Sequence, residues 1–548
     1  MHNPTDFAPA TISILDAQGH EHAVSVDPQD RSGTTLAQAI FTSGLFPAPA
    51  LCSGLGRCGR CRVRLLEDAA AFPALEAETR VLSDAELAQG WRLACRRPAK
   101  AGVRVFVPPA GLDADLRLDL PLPDVPLKLA VDLGTTSLHW EAQAGSLSVG
   151  RGSGLNPQLG AGSEVMSRLA FAATPANAEQ LRRLVLDKLS TVVATLLAAG
   201  NGVEELCLAG NAAMVLLLLG KATDGIAHAP YRLDWRGGET LALGADLGYK
   251  LPAAYIPPLY SPFVGADLSA GLAHVAFGLE EPPAYPFLLA DLGTNGEFIL
   301  AVTPERYLAA SVAMGPALEG IGLSCGGLAG PGAVVGFRLE PAGLVPLYYP
   351  QRPDAGVSPD AARITGAGYL SLVALLLKAG ALDGGGRFLT AAVTPLGRRL
   401  TTHLALERGA PRLLLPSVRG RAWLDGADVE ELLKVKAAFN YALARLVAAA
   451  GLEPHELAAV YLAGALGAHA GVDNLETLGF LPAGLSGRVR VLGNSSLAGC
   501  RLFLGNPTAR SWAAMVGQRI EALDLAAEAG FADGFIKRMV FAYVPWSS

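Results

Sequence analysis

The sequence predicts two folded parts, a small α+β domain at the N-terminus and a larger α/β protein made of two similar lobes. Three observations carry this. Three cysteines share one glycine-rich loop at 52–61, with Cys95 following alone. A proline-rich stretch follows, with five prolines within residues 108–126. Beyond it, an apolar run ending in Asp-Leu-Gly-Thr occurs twice, with its aspartates 159 positions apart.

A chain of 548 residues is long enough for three to four domains at about 150 residues each. Apolar residues make up 51% and charged residues 17%, too hydrophobic for a disordered chain, while 63 Gly and 37 Pro without a period exclude a collagen-like one. A net charge of −6 argues against nucleic acid or an anionic membrane surface as the main partner. Mean hydropathy is positive, yet no uncharged apolar run reaches the roughly 18 residues of a membrane span. Residues 1–6, Met-His-Asn-Pro-Thr-Asp, lack the basic-then-apolar order of a secretory signal, so a cytoplasmic protein is expected. In a reducing compartment the seven cysteines are not expected to form structural disulfides, and a tight group of them reads as a metal or redox site.

That group is Cys52-Ser-Gly-Leu-Gly-Arg-Cys58-Gly-Arg-Cys61, completed by Cys95. Four thiolates hold zinc or an iron-sulfur cluster, and zinc sites generally use two separate two-Cys knuckles. Three ligands from one loop with a distant fourth is the layout of a plant-type or vertebrate-type 2Fe-2S ferredoxin, here with five residues in the first gap instead of four. Gly54, Gly56 and Gly59 suit a loop that must adopt positive φ and aim backbone N–H groups at sulfur. The flanks read as strands at 11–15 and 22–26 around a turn at 16–19, a helix at 35–43, and strands at 61–65 and 103–107. This resembles the ferredoxin-like fold over residues 1–108, and a four-Cys zinc knuckle is the alternative. Residues 109–126 read as a Pro-rich linker. Such a spacer suits a carrier that swings between donor and acceptor, and it equally suits an ordinary domain connection.

The duplicated signal comprises residues 127–137, with Asp132, Gly134, Thr135 and Thr136, and residues 287–297, with Asp291, Gly293, Thr294 and Asn295. An apolar strand ending in Asp-x-Gly-Thr and turning into a second strand makes a hairpin. Its tip offers N–H and hydroxyl donors to phosphate, while the carboxylate suits hydrated Mg2+. Two copies at a domain-length spacing predict two lobes, 127–280 and 281–548, facing one another across a nucleotide cleft. A strand from 460 running into Gly464, Ala465 and Gly467 supplies a turn of small residues that lets backbone approach adenosine. None of the nine histidines stands at metal-ligand spacing.

Two such hairpins and a late Ala-Gly-Ala-x-Gly turn look like the superfamily of acetate and sugar kinases, heat-shock chaperones and actin, whose duplicated ribonuclease H-like lobes bind ATP. The match is closer to the reductive activators of corrinoid proteins, which join an N-terminal 2Fe-2S domain to such lobes. Segments shared with them include Asn156-Pro-Gln158, 162–168, Ala209-Gly-Asn211, 263–267, 315–320, Ile364-Thr-Gly366, 493–499 and 531–535. The chain departs from the family in three places: the first hairpin continues into Ser137-Leu-His139-Trp140, Glu164 stands where an aspartate is more usual, and a third segment is altered. Where the family usually has Asp-Ile-Arg-x-x-Gln-x-x-Lys, this chain has Asp428, Glu430, Leu433 and Lys436, so an arginine and a glutamine are replaced.

The resemblance implies ATP-dependent return of a corrinoid methyltransferase protein from cobalt(II) to cobalt(I), with one electron drawn from a 2Fe-2S cluster. It implies an upstream low-potential donor and allows a homodimer. Cys52, Cys58, Cys61 and Cys95 would hold the cluster, the glycine-threonine tips the phosphates, and Asp132 and Asp291 Mg2+ and its water. Asp267 and Glu319 are further acids of the cleft, each with cleft-wall polarity as its alternative role. A plant-type cluster near −400 mV lies above cobalt(I) in potential, and a gap of roughly 100 mV costs about 2.3 kcal/mol, well within reach of a nucleotide cycle. Three other readings remain open: an ATP-driven electron injector for another metalloenzyme, a small-molecule kinase with an accessory redox domain, and a redox-sensing scaffold.

Overall fold

A computed structural model describes residues 10–26, 34–44, 54–57, 59–66, 72–108, 115–119, 122–320, 322–341, 343–349, 363–390, 392, 394–407, 410–464 and 471–546. The chain divides into two compact units, residues 1–113 with 155–174, and residues 114–154 with 175–548.

In the first unit, alternating apolar residues build a five-stranded sheet. Its strands β1 (Ala10–Leu15), β2 (Glu21–Val26), β3 (Arg62–Leu65), β4 (Trp91–Leu93) and β5 (Arg104–Phe106) lie in the order β2-β1-β5-β3-β4. Ile12, Ile14, Val63, Leu93 and Val105 fill its core together with Leu36, Ala39 and Ile40 of α1 (Leu36–Thr42). That helix starts at a capping box in which Thr35 and Gln38 satisfy each other's backbone N–H. The two short helices α2 (Glu76–Val81) and α3 (Asp84–Ala88) lead into β4.

Glu78 of α2 is fully buried. It accepts from the N–H groups of Leu75 at 2.8 Å and Leu93 at 3.0 Å, and it pairs with Arg97. Burial pushes its pKa up, but the Arg97 guanidinium and the two backbone donors outweigh that and hold it below the usual glutamate value.

Residues 155–174 also belong to this unit, although the lobe expected at 127–280 includes them. They form a 3-10 turn at Pro157–Ala161 and α4 (Val165–Phe171). Arg168, fully buried, donates to the Gly162 carbonyl at 2.9 Å. Phe171 meets Phe41 of α1 edge to face at 5.6 Å, and Gly160 leaves no room for a Cβ beside that ring. This aromatic contact ties the segment to the ferredoxin-like part, a long-range pairing that local sequence does not display.

The second unit holds two sheets with one plan. The first comprises β6 (Asp115–Leu118), β7 (Leu127–Leu133), β8 (Ser137–Ala144), β9 (Leu147–Leu155), β10 (Val203–Gly210), β11 (Glu239–Leu241) and β12 (Ala254–Ile256), in the order β11-β12-β10-β7-β8-β9-β6. The stretch expected as linker thus contributes an edge strand, β6, antiparallel to β9. Its signal is the alternation Asp115-Leu116-Arg117-Leu118 between the prolines, and Leu118 covers Gly150, whose Cβ would lie 2.6 Å away. The helices of this region are α5 (Pro175–Ala198), α6 (Ala212–Leu219), α7 (Asp224–Ala227) and α8 (Ala266–Phe277). Leu181, Val185, Leu189, Val192 and Leu196 form the buried stripe of α5.

The second sheet opens with β13 (Phe287–Leu292), β14 (Asn295–Thr303) and β15 (Arg306–Ala313). Two small sheets branch from it: β16 (Val334–Glu340) with β17 (Gly343–Tyr348), and β18 (Leu404–Glu407) with β19 (Ala410–Leu414) and β20 (Trp423–Asp425). After them come β21 (Ala459–Ala463), β22 (Val489–Gly493) and β23 (Ile520–Leu523), giving the order β22-β21-β13-β14-β15-β23. In both sheets the first strand of the hairpin bearing the Asp-Leu-Gly-Thr turn pairs in parallel with a later strand of the same sheet, Asp132 opposite Ala209 and Asp291 opposite Ala463. The helices are α9 (Gly366–Lys378), α10 (Pro395–Thr401), α11 (Gly426–Ala450), α12 (Val472–Thr477), α13 (Ser495–Gly505), α14 (Pro507–Val516) and α15 (Phe531–Lys537). The tertiary structure departs from a simple boundary at 280, because α13 packs on β7, β10 and α8 of the first sheet while β23 returns to β15. Among the described residues no helix is long and apolar enough to cross a membrane.

Removing one partner of a buried ion pair typically costs about 3–5 kcal/mol. Glu78→Ala is therefore expected to lose that much stability in the first unit, read as faster hydrogen exchange of the amides at 76–97. Because the folded-state pKa is depressed, this contribution is present above the ordinary glutamate pKa and is lost as pH falls below it.

Candidate functional site

The two hairpin tips set the site. In the first, Leu133 and Leu138 close the β7–β8 ladder, leaving Gly134, Thr135 and Thr136 as the turn. A Cβ on Gly134 would lie 2.5 Å from the Ser137 carbonyl, so only glycine allows this tight return. Thr135 Oγ1 accepts from Asn211 Nδ2 at 2.8 Å, and Asn211 itself caps α6 by accepting from the Met214 N–H. Thr136 is 4% exposed, and its Oγ1 is buried without a hydrogen-bond partner.

In the second tip, Gly293 and Thr294 form the turn and Asn295 opens β14. Thr294 Oγ1 donates to Glu319 Oε1 at 2.9 Å. Among the described residues the nearest atom to a would-be Cβ on Gly293 is Glu319 Oε1, at 3.8 Å. Gly464 takes φ +86° and leans on the same hairpin, where a Cβ would sit 2.7 Å from the Leu292 carbonyl and 2.8 Å from Asp291 Oδ1. Ala465 and Gly467 lie outside the described residues.

Five carboxyl groups meet between these turns. Asp132 accepts from Asn494 Nδ2 at 2.7 Å and from Ser496 Oγ at 2.8 Å. Asp267, in the first turn of α8, and Glu297, opposite Asp291 across the β13–β14 ladder, share a hydrogen bond. Burial, then the Asp132 charge, pushes Asp267 up to about 7. Burial, then Asp267, Asp132 and Glu319, pushes Asp291 up to about 8. Burial, then Asp267 and Asp291, also pushes Glu297 well above the usual glutamate value. Three helices of eight or more residues begin here, α6 at Asn211, α8 at Gly265 and α13 at Asn494, and a Cβ on Gly265 would lie 2.5 Å from Asn211 Cα. Their positive dipole ends offset part of the acidic charge and suit phosphate.

The structure thus brings together Asp132, Asp267, Asp291 and Glu319 with both tips and Gly464. Sequence reading missed Glu297, Asn211, Asn494 and Ser496 as site residues. Period-2 spacing from Asn295 was the available signal for Glu297, whereas the other three reach the site only through tertiary packing. Of the cysteines expected at a cluster, Cys61 and Cys95 are both buried, and the Ala94 N–H donates to the Cys61 carbonyl at 2.8 Å, setting the two segments side by side. Gly54, Gly56 and Gly59 all take positive φ, and a Cβ on Gly56 would lie 2.9 Å from Arg96 Cγ. Cys52 and Cys58 lie outside the described residues.

Three family descriptions match the chain in succession: the 2Fe-2S iron-sulfur cluster binding domain at residues 17–100, the RACo middle region at 127–280, and the C-terminal domain of RACo, the ASKHA domain, at 286–546. The chain belongs to the family of reductive activators of corrinoid proteins. Corrinoid activation enzyme RamQ of Eubacterium limosum is 24% identical over 430 residues, covering 75% of this chain and 70% of that one. The [Co(II) methylated amine-specific corrinoid protein] reductase of Methanosarcina barkeri is 29% identical over 260 residues, 44% of this chain and 43% of that one. A solved reductive activator for corrinoid, iron-sulfur protein shares the fold, with a TM-score of 0.65 at 20% identity over 96% of this chain and 98% of that one.

The departures within this activator have a structural account. Glu430 is on the solvent side of α11 and pairs with Lys434 at 3.0 Å, while Leu433 is buried against the apolar core. Neither belongs to the carboxyl cluster. Asp428 accepts from the Ser324 N–H at 2.7 Å, fixing the loop that follows Glu319. Lys436 is fully buried, donating to Asn440 Oδ1 at 3.1 Å and to the Arg538 and Ala542 carbonyls, so it pins the C-terminal segment to α11.

Asp291 keeps a proton in the native protein at pH values where the unfolded chain has released it, so the nucleotide-free protein loses stability as pH rises from about 4 toward 8. Asp291→Asn is expected to flatten that slope and to raise Tm, by roughly 1 °C for each kcal/mol of repulsion removed in a unit of this size. Thermal unfolding at pH 6 and pH 8 checks both.

Proposed function

We propose that this protein is the ATP-dependent reductive activator of a corrinoid-binding methyltransferase protein, delivering one electron to cobalt(II) and so restoring cobalt(I). The observation that carries the reading is the presence in one chain of a glycine-wrapped cysteine loop and a carboxyl-lined cleft between paired Asp-Leu-Gly-Thr hairpins. Either half alone would serve many purposes. Together they suit an electron transfer that must be driven uphill.

The residues fit the two groups this requires. Cys61 and Cys95, with Cys52 and Cys58 from the loop, would hold a 2Fe-2S cluster, and the positive-φ glycines keep Cβ atoms out of the wrap. When bound, that cluster supplies a one-electron carrier of low potential. In the cleft, the unpartnered Thr136 hydroxyl, the Gly134 and Gly293 turns, Thr135, Thr294 and Asn295 would receive phosphate oxygens. Gly464 would let backbone approach the nucleoside. Asp132 and Asp291 would position Mg2+. Among the described residues no three His, Cys, Asp or Glu side chains form a metal cage by themselves, so a cation here would keep water and phosphate oxygens among its ligands. Asp267, hydrogen-bonded to Glu297, is placed to take a proton from an attacking water. Nucleotide binding favours one lobe arrangement, and coupling follows if the corrinoid protein binds that arrangement differently. An upstream low-potential donor refills the cluster, and the reaction belongs in the cytoplasm.

The test is to load the full chain with iron and sulfide, add a cobalt(II) corrinoid protein and reductant, and follow cobalt(I) absorbance with and without Mg-ATP. ATP-dependent appearance of cobalt(I) is expected, and its absence rejects the reading. Slow ATP turnover should rise when the corrinoid protein is added. Cys61→Ser and Cys95→Ser should each abolish the visible spectrum of the loaded protein while leaving ADP binding within about twofold of the unsubstituted chain.

A further inference from the structure

Residues 493–496 join three parts of the second unit. Gly493 ends β22 of the second sheet, and its carbonyl accepts from the Gly464 N–H at 3.0 Å. The next residues hold Asp132, 362 positions earlier in the chain, by both carboxylate oxygens: Asn494 Nδ2 donates to Oδ2 and Ser496 Oγ to Oδ1. From there α13 runs along the first sheet, where Cys500 Sγ reaches the Val131 carbonyl at 3.4 Å and the Leu504 carbonyl accepts from Lys128 Nζ at 3.0 Å. Ser496 is 3% exposed, so its hydroxyl has little water to turn to.

The terminal torsion of a carboxylate is broad, so one donor does not fix its plane, whereas two donors on opposite oxygens do. Because both donors follow directly on the residue that grips Gly464, the orientation of the acid in the first lobe is tied to the nucleoside turn of the second. We infer that Asn494 and Ser496 are positioning residues that orient Asp132 for the metal of a metal-nucleotide complex and lock it to the Gly464 turn. This rests on the reading of Asp132 as a Mg2+-positioning acid.

Asn494 also has a structural task, since its Oδ1 accepts from the Leu497 N–H at 2.8 Å and caps α13. Asn494→Asp separates the two roles. Aspartate caps a helix as well as asparagine does, but it turns the donor facing Asp132 into a second carboxylate. Ser496→Ala removes the other donor independently. The full chain is titrated calorimetrically with ADP, with and without Mg2+, and the factor by which Mg2+ tightens binding is compared. A hydrogen bond to a charged group is worth about tenfold or more in binding, so each variant is expected to lose at least about tenfold of the Mg2+ gain while its Mg2+-free Kd stays within about twofold. An undiminished Mg2+ gain in both variants overturns the inference, as does a parallel loss with and without Mg2+, which would reveal a capping role only. If the unsubstituted chain binds ADP but shows no Mg2+ gain, the assignment of Asp132 itself fails, which is a distinguishable result.

Discussion

Crowding acidic groups inside a protein is the constraint around which the second unit is organised. Asp132, Asp267, Asp291, Glu297 and Glu319 act on one another in a partly buried cleft, Glu297 being the most enclosed, and there like charges repel more strongly than at the surface. The fold meets this in three ways. Helices α6, α8 and α13 point their N-termini at the cluster, neutral donors serve Asp132 and Glu319, and burial with the neighbouring acids pushes Asp291 and Glu297 toward their protonated forms. A site so strained without ligand is one that gains when a cation and phosphates arrive.

The duplicated sheets are alike in strand order but not in detail, and the differences divide the labour. The first tip is backed by the Ser137 carbonyl and braced through Asn211, which makes it a fixed surface. The second lies beside Glu319 and Gly464, and among the described residues no atom crowds a would-be Cβ on Gly293. Helices α8 and α13 connect them, α8 touching strands of both sheets and α13 reaching from the end of β22 onto β7 and β10.

In the first unit the same physics works on a smaller scale. Glu78 draws Arg97, the Leu75 cap and the start of the Cys95 segment to one point, so a single buried carboxylate helps to set where the last cysteine lies. The aromatic pair Phe41 and Phe171 brings residues 155–174 into that unit. The chain therefore passes between the units three times instead of once, and a ferredoxin-like part attached by one proline-stiffened spacer does not describe this topology.

Local pattern was sufficient for the features whose chemistry is local. The cysteine spacing, the glycines that need positive φ, and the two Asp-Leu-Gly-Thr turns are short-range requirements of cluster and phosphate binding, and they are legible in any sequence that meets them. Residues 115–118 were also legible in principle, through their alternation, but the flanking prolines masked a strand. Glu297 was legible in the same way, through its spacing from Asn295, but the roles of Asn211, Asn494 and Ser496 were not. Their roles depend on which elements pack together over hundreds of positions, and a carboxylate or an amide carries no mark of the partner it will meet. Motif chemistry thus determined what the chain can bind, while the folding of α8 and α13 between the sheets decided which side chains hold those motifs in place, because burial and charge proximity are properties of the assembled core.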